Sequence, residues 1–191
     1  MRSLKTFLAF LALSAGAIVS AHAADLSRAV LLVATKQLAG SGFEEAVIVA
    51  APAPEGGHMG FILNRPTGVK LEAVFPEHLP SRQVVEPVYV GGPVLSNGIF
   101  AIARTAPEGD GLVVPIMPGL VAVFDAASLD RVIETTPNDA RYFAGVMVWR
   151  PGELEGEVRE GYWRVRPASV EAVLEGGNRS ARSKKLPERR S

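Results

Sequence analysis

Short apolar runs, nearly continuous and separated by Gly and Pro, set the pattern of this chain. Ala29–Ala34 (AVLLVA) and Ala46–Ala51 (AVIVAA) lack the in-out alternation of a strand with one wet face. Runs of this length, rich in β-branched residues, predict strands covered on both faces. Met59–Leu63 predicts a third strand, reached through a loop holding Pro52, Pro54, Gly56 and Gly57. Val84–Gly91 and Ile99–Arg104 flank the segment Gly92-Pro93-Val94-Leu95-Ser96-Asn97-Gly98. Asn-Gly between two β-prone runs predicts a hairpin, because both residues accept positive φ. Leu112–Ile116 and Leu120–Phe124 predict another pair around Met117-Pro118-Gly119, and Phe143–Trp149 with Tyr162–Arg166 completes the strands.

Helical periodicity is sparser. Asp125 is placed to cap a helix over Ala126–Thr135, with Leu129, Val132 and Ile133 on one face. Pro151 and Pro167 each suit a first helical position and predict helices over Pro151–Arg159 and Pro167–Glu175. Leu71–Leu79 predicts a short helix broken by Pro76. Strands outnumber helices without strict alternation and no repeat is visible. The pattern predicts a single α+β domain with a mixed, mostly antiparallel sheet.

The two ends depart from this pattern. Arg2 and Lys5 precede an uncharged apolar run from Phe7 to Val19, followed by Ala21-His22-Ala23. That order predicts an export signal over residues 1–23, cleaved after an Ala-x-Ala site. The apolar core falls short of the roughly 20 residues needed to span a bilayer, and an uncleaved anchor is the alternative. The expected mature domain covers residues 24–175 and the expected location is the periplasm. Residues 176–191 are rich in Arg, Lys and Ser without apolar periodicity, which predicts a disordered basic tail.

Charge and composition narrow the functions. Net charge is zero over 191 residues, yet residues 24–175 hold 12 Lys/Arg against 19 Asp/Glu. An acidic body of net −7 repels phosphate backbones, so nucleic acid is not the expected partner. The tail, at +5, is suited to weak contact with anionic surfaces, either lipid headgroups or the acidic body of another copy. There is no cysteine, which excludes disulfides and thiolate metal sites.

The usual catalytic signatures are missing as well. Phosphate-loop, dinucleotide and nucleophile-elbow motifs are absent. His58 and His78 are twenty residues apart and form no zinc-ligand pattern. Glu153, Glu155 and Glu157 open a helix, where the helix dipole alone favours carboxylates.

Three segments in register carry a resemblance. Gly60-Phe61-Ile62-Leu63-Asn64-Arg65-Pro66, Val90-Gly91-Gly92-Pro93-Val94 and Trp149-Arg150-Pro151-Gly152-Glu153-Leu154-Glu155-Gly156-Glu157, with Trp163 beyond, resemble the motifs of the YqgE/AlgH family. The resemblance covers residues from about Leu31 to Leu174 and implies a fold of coiled, bifurcated sheets. No catalytic activity is established for that family, and no cofactor is expected. Its motif residues Gly60, Asn64, Arg65, Pro66, Gly91, Gly92, Pro93, Trp149, Gly152, Glu153 and Glu155 form the candidate site, with no catalytic or metal-ligating residue among them. Val146, Met147 and Val148 stand where members carry Y-[AS]-G, and Glu153 replaces a usual Gln. Most members resemble cytoplasmic proteins and one branch is linked to transcription, a role that an exported chain does not inherit.

The expected function is a non-catalytic binding or interaction module for a protein or small-molecule ligand. The alternatives are a hydrolase using Asn64, Arg65 and Glu153, a structural relic, and a cytoplasmic-type regulator if the signal is unused. One prediction follows from the sequence alone: the mature chain begins at Ala24. Intact-mass measurement on protein from the envelope fraction checks it, and retention of residues 1–23 overturns it.

Overall fold

The computed structural model describes residues 25–175, so the expected export signal over 1–23 and the expected disordered tail over 176–191 both lie outside the described residues. Among the described residues there are ten strands: β1 Val30–Ala34, β2 Val47–Pro52, β3 His58–Ile62, β4 Pro66–Lys70, β5 Pro87–Val90, β6 Val94–Ala103, β7 Val113–Met117, β8 Leu120–Val123, β9 Ala140–Trp149 and β10 Trp163–Pro167. Three α-helices join them: α1 Leu71–Val74, α2 Ala126–Thr135 and α3 Glu153–Arg159. Residues 170–175 form a further helical turn. The architecture is α+β with a mostly antiparallel curled sheet.

The sheet runs in the order β10-β1-β2-β3-β9-β6-β8-β7, with β4 and β5 branching off it. All neighbours are antiparallel except β5 and β9. The first and last strands of the described domain pair with each other, Val30 opposite Pro167 and Ala34 opposite Trp163.

The continuous apolar runs have a physical cause. One face of the curled sheet lines a central core containing Val49, Phe61, Ile102, Ala122 and Phe143. Its other face is covered twice. α3 and the two tryptophans close over Ile48, Ala50 and Ile62, while α2 closes over Ala101, Val123 and Tyr142. Strand β2 therefore sends Val49 one way and Ile48 the other, and neither side meets water. α2 keeps the expected bounds: Asp125 accepts a hydrogen bond from Ser128 N at 2.9 Å, and Leu129, Val132 and Ile133 are buried.

Strand β9 is the hub. One edge pairs with β6 along residues 140–146; the other pairs first with β5 at Phe143 and Ala144, then with β3 at residues 147–149. Serving both requires a change of phase. Ala140 and Tyr142 face α2 and Phe143 faces the central core, so residue 145 should face inward too. Instead Val146 does, and Met147 and Trp149 turn towards α3. Gly145 takes up the slip at φ +75°, the left-handed bulge conformation that favours glycine.

Several expectations are corrected here. Asn97-Gly98 is not a hairpin turn, because β5 and β6 lie on opposite edges of β9 and never pair. The chain crosses β9 through Gly91-Gly92-Pro93, and Asn97-Gly98 falls in an irregularity of β6 between Val94 and Ile99. Neither Pro151 nor Pro167 opens a helix. α3 starts at Glu153 with Gly152 as its cap, and Pro167 ends β10. The final helix is capped instead by Ser169, whose hydroxyl accepts from Ala172 N at 3.1 Å. α1 ends at Val74 rather than Leu79, Leu79–Gln83 form a 3-10 turn, and the strand expected from Val84 starts at Pro87. β4 was not expected; it is exposed throughout and pairs only with β5.

The crossing yields a prediction. A Cβ on Gly145 would stand 2.3 Å from the carbonyl oxygen of Gly92. Gly145→Ala should therefore lose about 3 kcal/mol, combining the left-handed backbone cost with overpacking. Gly40→Ala, at φ +73° with nothing within 4 Å, should lose about 1 kcal/mol from the backbone alone. Urea unfolding midpoints measure both, and equal losses would contradict a steric crossing.

Candidate functional site

The polar residues of the first motif are engaged with backbone. Asn64 follows β3 and clamps the loop before β2: its Nδ2–H donates to Glu45 O at 2.8 Å, and its Oδ1 accepts from Val47 N at 2.9 Å. Arg65 continues the clamp, donating from Nη1 to Gly42 O and from Nη2 to Glu44 O at 3.0 Å. The Arg65 carbonyl accepts from Val90 N, and Pro66 begins β4 opposite Tyr89. These two side chains hold a loop in which Glu45 has φ +57°.

The glycines of the motifs mark close approaches of main chain. A Cβ on Gly60 would lie 2.4 Å from Val49 O, and one on Gly91 2.1 Å from Gly145 O. On Gly92 it would lie 2.3 Å from the carbonyl carbon of Val146. Pro93 then leads into β6 on the far edge of β9.

The third motif builds an indole clamp. Trp149 and Trp163 are buried, and both donate Nε1–H to one oxygen of Glu157, at 3.1 and 2.6 Å. Glu157 was not among the candidate residues, although its i,i+4 spacing from Glu153 was legible. Glu153 folds back to accept from Arg150 N at 2.7 Å and so fixes the turn before α3. Glu155 comes nearest to His58, at 3.9 Å from its Nδ1. His58 is buried, and its Nε2 lies 3.0 Å from Leu26 O.

Sequence reasoning also passed over a buried cation. Arg141 on β9 is buried and donates from Nη1 to Val173 O at 2.7 Å and from Nη2 to Leu63 O at 2.6 Å. Its guanidinium stacks 4.0 Å from the centre of the Tyr89 ring. Burial pulls its pKa below the ordinary guanidinium value, and neighbouring Tyr89 and Glu86 oppose that. The Tyr89 phenol is raised, first by burial and then by its hydrogen bond to Glu86 at 2.7 Å. A perturbed pair of this kind marks many active sites. Here it joins β3, β5, β9 and the final helix inside the protein, with both carbonyls satisfied.

Three open clefts lie elsewhere. One of about 420 Å³ is bordered by Asp25, Arg28, Met117 and Arg166, where Arg28 pairs with Asp25 at 3.2 Å. One of about 280 Å³ lies between residues 105–108 and α2, crossed by the Arg131 side chain bonded to Glu108 O. The third, of about 330 Å³, is apolar. None of the three is lined by Asn64, Arg65, Gly92 or Glu153. No group of three or more His, Cys, Asp or Glu able to hold a metal occurs among the described residues.

The apolar cleft is the mouth of the central core. Met59, Val114 and Val146 belong to that core and form its floor. Val94, Leu95, Leu112 and Val148 form its sides, and these large apolar residues are 40, 60, 61 and 52% exposed. Glu55, in the turn after β2, is the charged residue on its rim. Leu95 has φ +50°, uncommon for a residue with a side chain, and such strain concentrates at ligand-binding sites. The crossing creates this geometry, since Val94 and Leu95 follow the Gly-Gly-Pro segment and Val146 and Val148 follow Gly145.

A family model described as AlgH-like matches residues 31–186. A UPF0301 protein of Chlorobium limicola is 34% identical over 163 residues, covering 81% of this chain and 84% of its own. One from Streptomyces coelicolor is 32% identical, covering 71% of this chain and 72% of its own. In three dimensions the chain is similar to the solution structure of the AlgH protein from Pseudomonas aeruginosa. That likeness has a TM-score of 0.67 at 24% identity, over 85% of this chain and 89% of the other. A crystal structure from Corynebacterium diphtheriae matches with a TM-score of 0.61 at 26% identity, over 78% and 80% of the two chains.

The indole clamp is testable. Trp149→Ala and Trp163→Ala should each cost roughly 3–5 kcal/mol, as for other core aromatics. Glu157→Ala should cost about 2 kcal/mol, because two indole donors lose one charged acceptor that is itself partly exposed. Thermal unfolding checks all three, and an unchanged midpoint for Glu157→Ala would show that the clamp contributes nothing.

Proposed function

The chain belongs to the AlgH-like family, and we propose that this member is an exported, non-catalytic binding module whose ligand surface is the apolar cleft. The observation that carries the reading is the convergence of Val94, Leu95, Leu112 and Val148, exposed and apolar, over the opening of the central core. Ligand sites are concave and mostly apolar, and they recur in the mouths of β-barrels and curled sheets. The polar residues available for chemistry point the other way. Asn64, Arg65 and Glu153 each hold main-chain groups, and none lines the cleft.

Two of the chain's departures from the family pattern fall at this surface. The resemblance sets Val146 and Val148 where members carry Tyr and Gly, so Val148, 52% exposed, contributes a side chain where glycine has none. The signal-like order of Arg2, Lys5, the apolar run 7–19 and Ala21-His22-Ala23 supports a periplasmic place of action, where a small-molecule or protein ligand would meet this surface.

The test is saturable uptake of the uncharged fluorophore N-phenyl-1-naphthylamine. We expect one site, lost at least tenfold in Leu95→Asp and in Val148→Asp with unfolding midpoints unchanged, since both positions are exposed. Uptake that is equal in the variants and the parent would overturn the reading. So would ester turnover abolished by Glu153→Gln.

A further inference from the structure

We propose that the cleft takes a compact aliphatic ligand bearing a single cationic head, with the head at Glu55; this rests on the binding reading above. Size comes first. About 330 Å³ lies at the lower end of the roughly 300–1,000 Å³ typical of ligand sites, enough for one short chain. Surface character comes next. The sides are Val and Leu, and the floor includes Met59, whose unbranched thioether adapts to an irregular chain. Phe124 is the one aromatic in the lining.

Charge then selects the head. Glu55 is the only ionisable residue in the lining, and its carboxylate has no hydrogen bond or ion pair among the described residues. Its position is held by the turn around it, in which Gly56 N donates to Ala53 O at 3.0 Å and Ala53 N to Gly57 O at 3.1 Å. Among the described residues no Lys or Arg borders the cleft, and residues 24–175 are net acidic, so their field has the same sign as Glu55. An anionic amphiphile would bury its chain against a repelling rim. A cationic one would gain at both ends.

The experiment compares three ten-carbon competitors below their micelle concentrations: decyltrimethylammonium, decyl sulfate and uncharged decyl maltoside. Each displaces N-phenyl-1-naphthylamine from the full chain, from Glu55→Gln and from Glu55→Lys. The ammonium should compete about tenfold better than the sulfate in the parent. Glu55→Gln should lower that preference to about threefold, and Glu55→Lys should reverse it. If all three compete alike in every variant while Leu95→Asp abolishes them, the cleft stands and the cationic head is overturned. If none displaces the fluorophore from the parent although Leu95→Asp abolishes its uptake, the cleft stands and the aliphatic ligand is overturned. A synthetic peptide of residues 176–191 is the fourth competitor. Displacement by that peptide at lower concentration than by the ammonium would make the chain's own basic tail the occupant and overturn a small ligand.

Discussion

The domain depends on one passage of main chain across main chain. After β5 the chain must leave one edge of β9 and join β6 on the other, and it does so with backbones too close for any Cβ between them. Gly91 and Gly92 lie on one side of the contact and Gly145 on the other. Because β9 changes phase at Gly145, its first half can serve the α2 side and its second half the α3 side. The two outer apolar patches, the shared central core and the branching of the sheet all follow from that local slip.

The polar residues that accompany the crossing are anchors. Arg141 ties the end of β3 and the final helix to β9, and its guanidinium lies over the Tyr89 and Phe143 rings. Asn64 and Arg65 hold the loop that leads into β2. Glu157 gathers both indoles of the molecule onto α3. Arg141 and Glu157 satisfy groups that burial would otherwise leave unpaired, which costs about 1–3 kcal/mol per group, whereas Asn64 and Arg65 fix a loop at the surface. A motif can therefore be rich in polar residues without containing a reactive centre.

Much of this was legible in the sequence, for reasons that differ by element. Strands β1 to β3 announced themselves because they are covered on both sides, and α2 because its cap and buried stripe agree. β4 was invisible, being fully exposed and held only by backbone pairing to β5. Asn97-Gly98 misled because hairpin chemistry is local, whereas the position of β6 is imposed by the crossing. Gly145 could have been suspected, since glycine inside an apolar strand signals a bulge or a close approach. Arg141 could not, because nothing in a linear pattern separates a buried arginine from an exposed one. The cleft was hidden for the opposite reason. Val146–Val148 read as a plain apolar strand, and only the three-dimensional arrangement shows that Val148 faces outward.

The pairing of β1 with β10 has a consequence for how the molecule is made. The sheet joins residues near the start of the domain to residues near its end, so the closing contacts span almost the whole sequence. Non-local pairing of this kind is slow to form. During synthesis β1 has no partner on its outer edge until β10 has emerged, and the apolar patch under α3 lacks Trp163 and Val165 until then. The edge of β1 and the patch under α3 are therefore among the last parts of the domain that can close, although β2, β3, β6, β8 and β9 can already pair with one another.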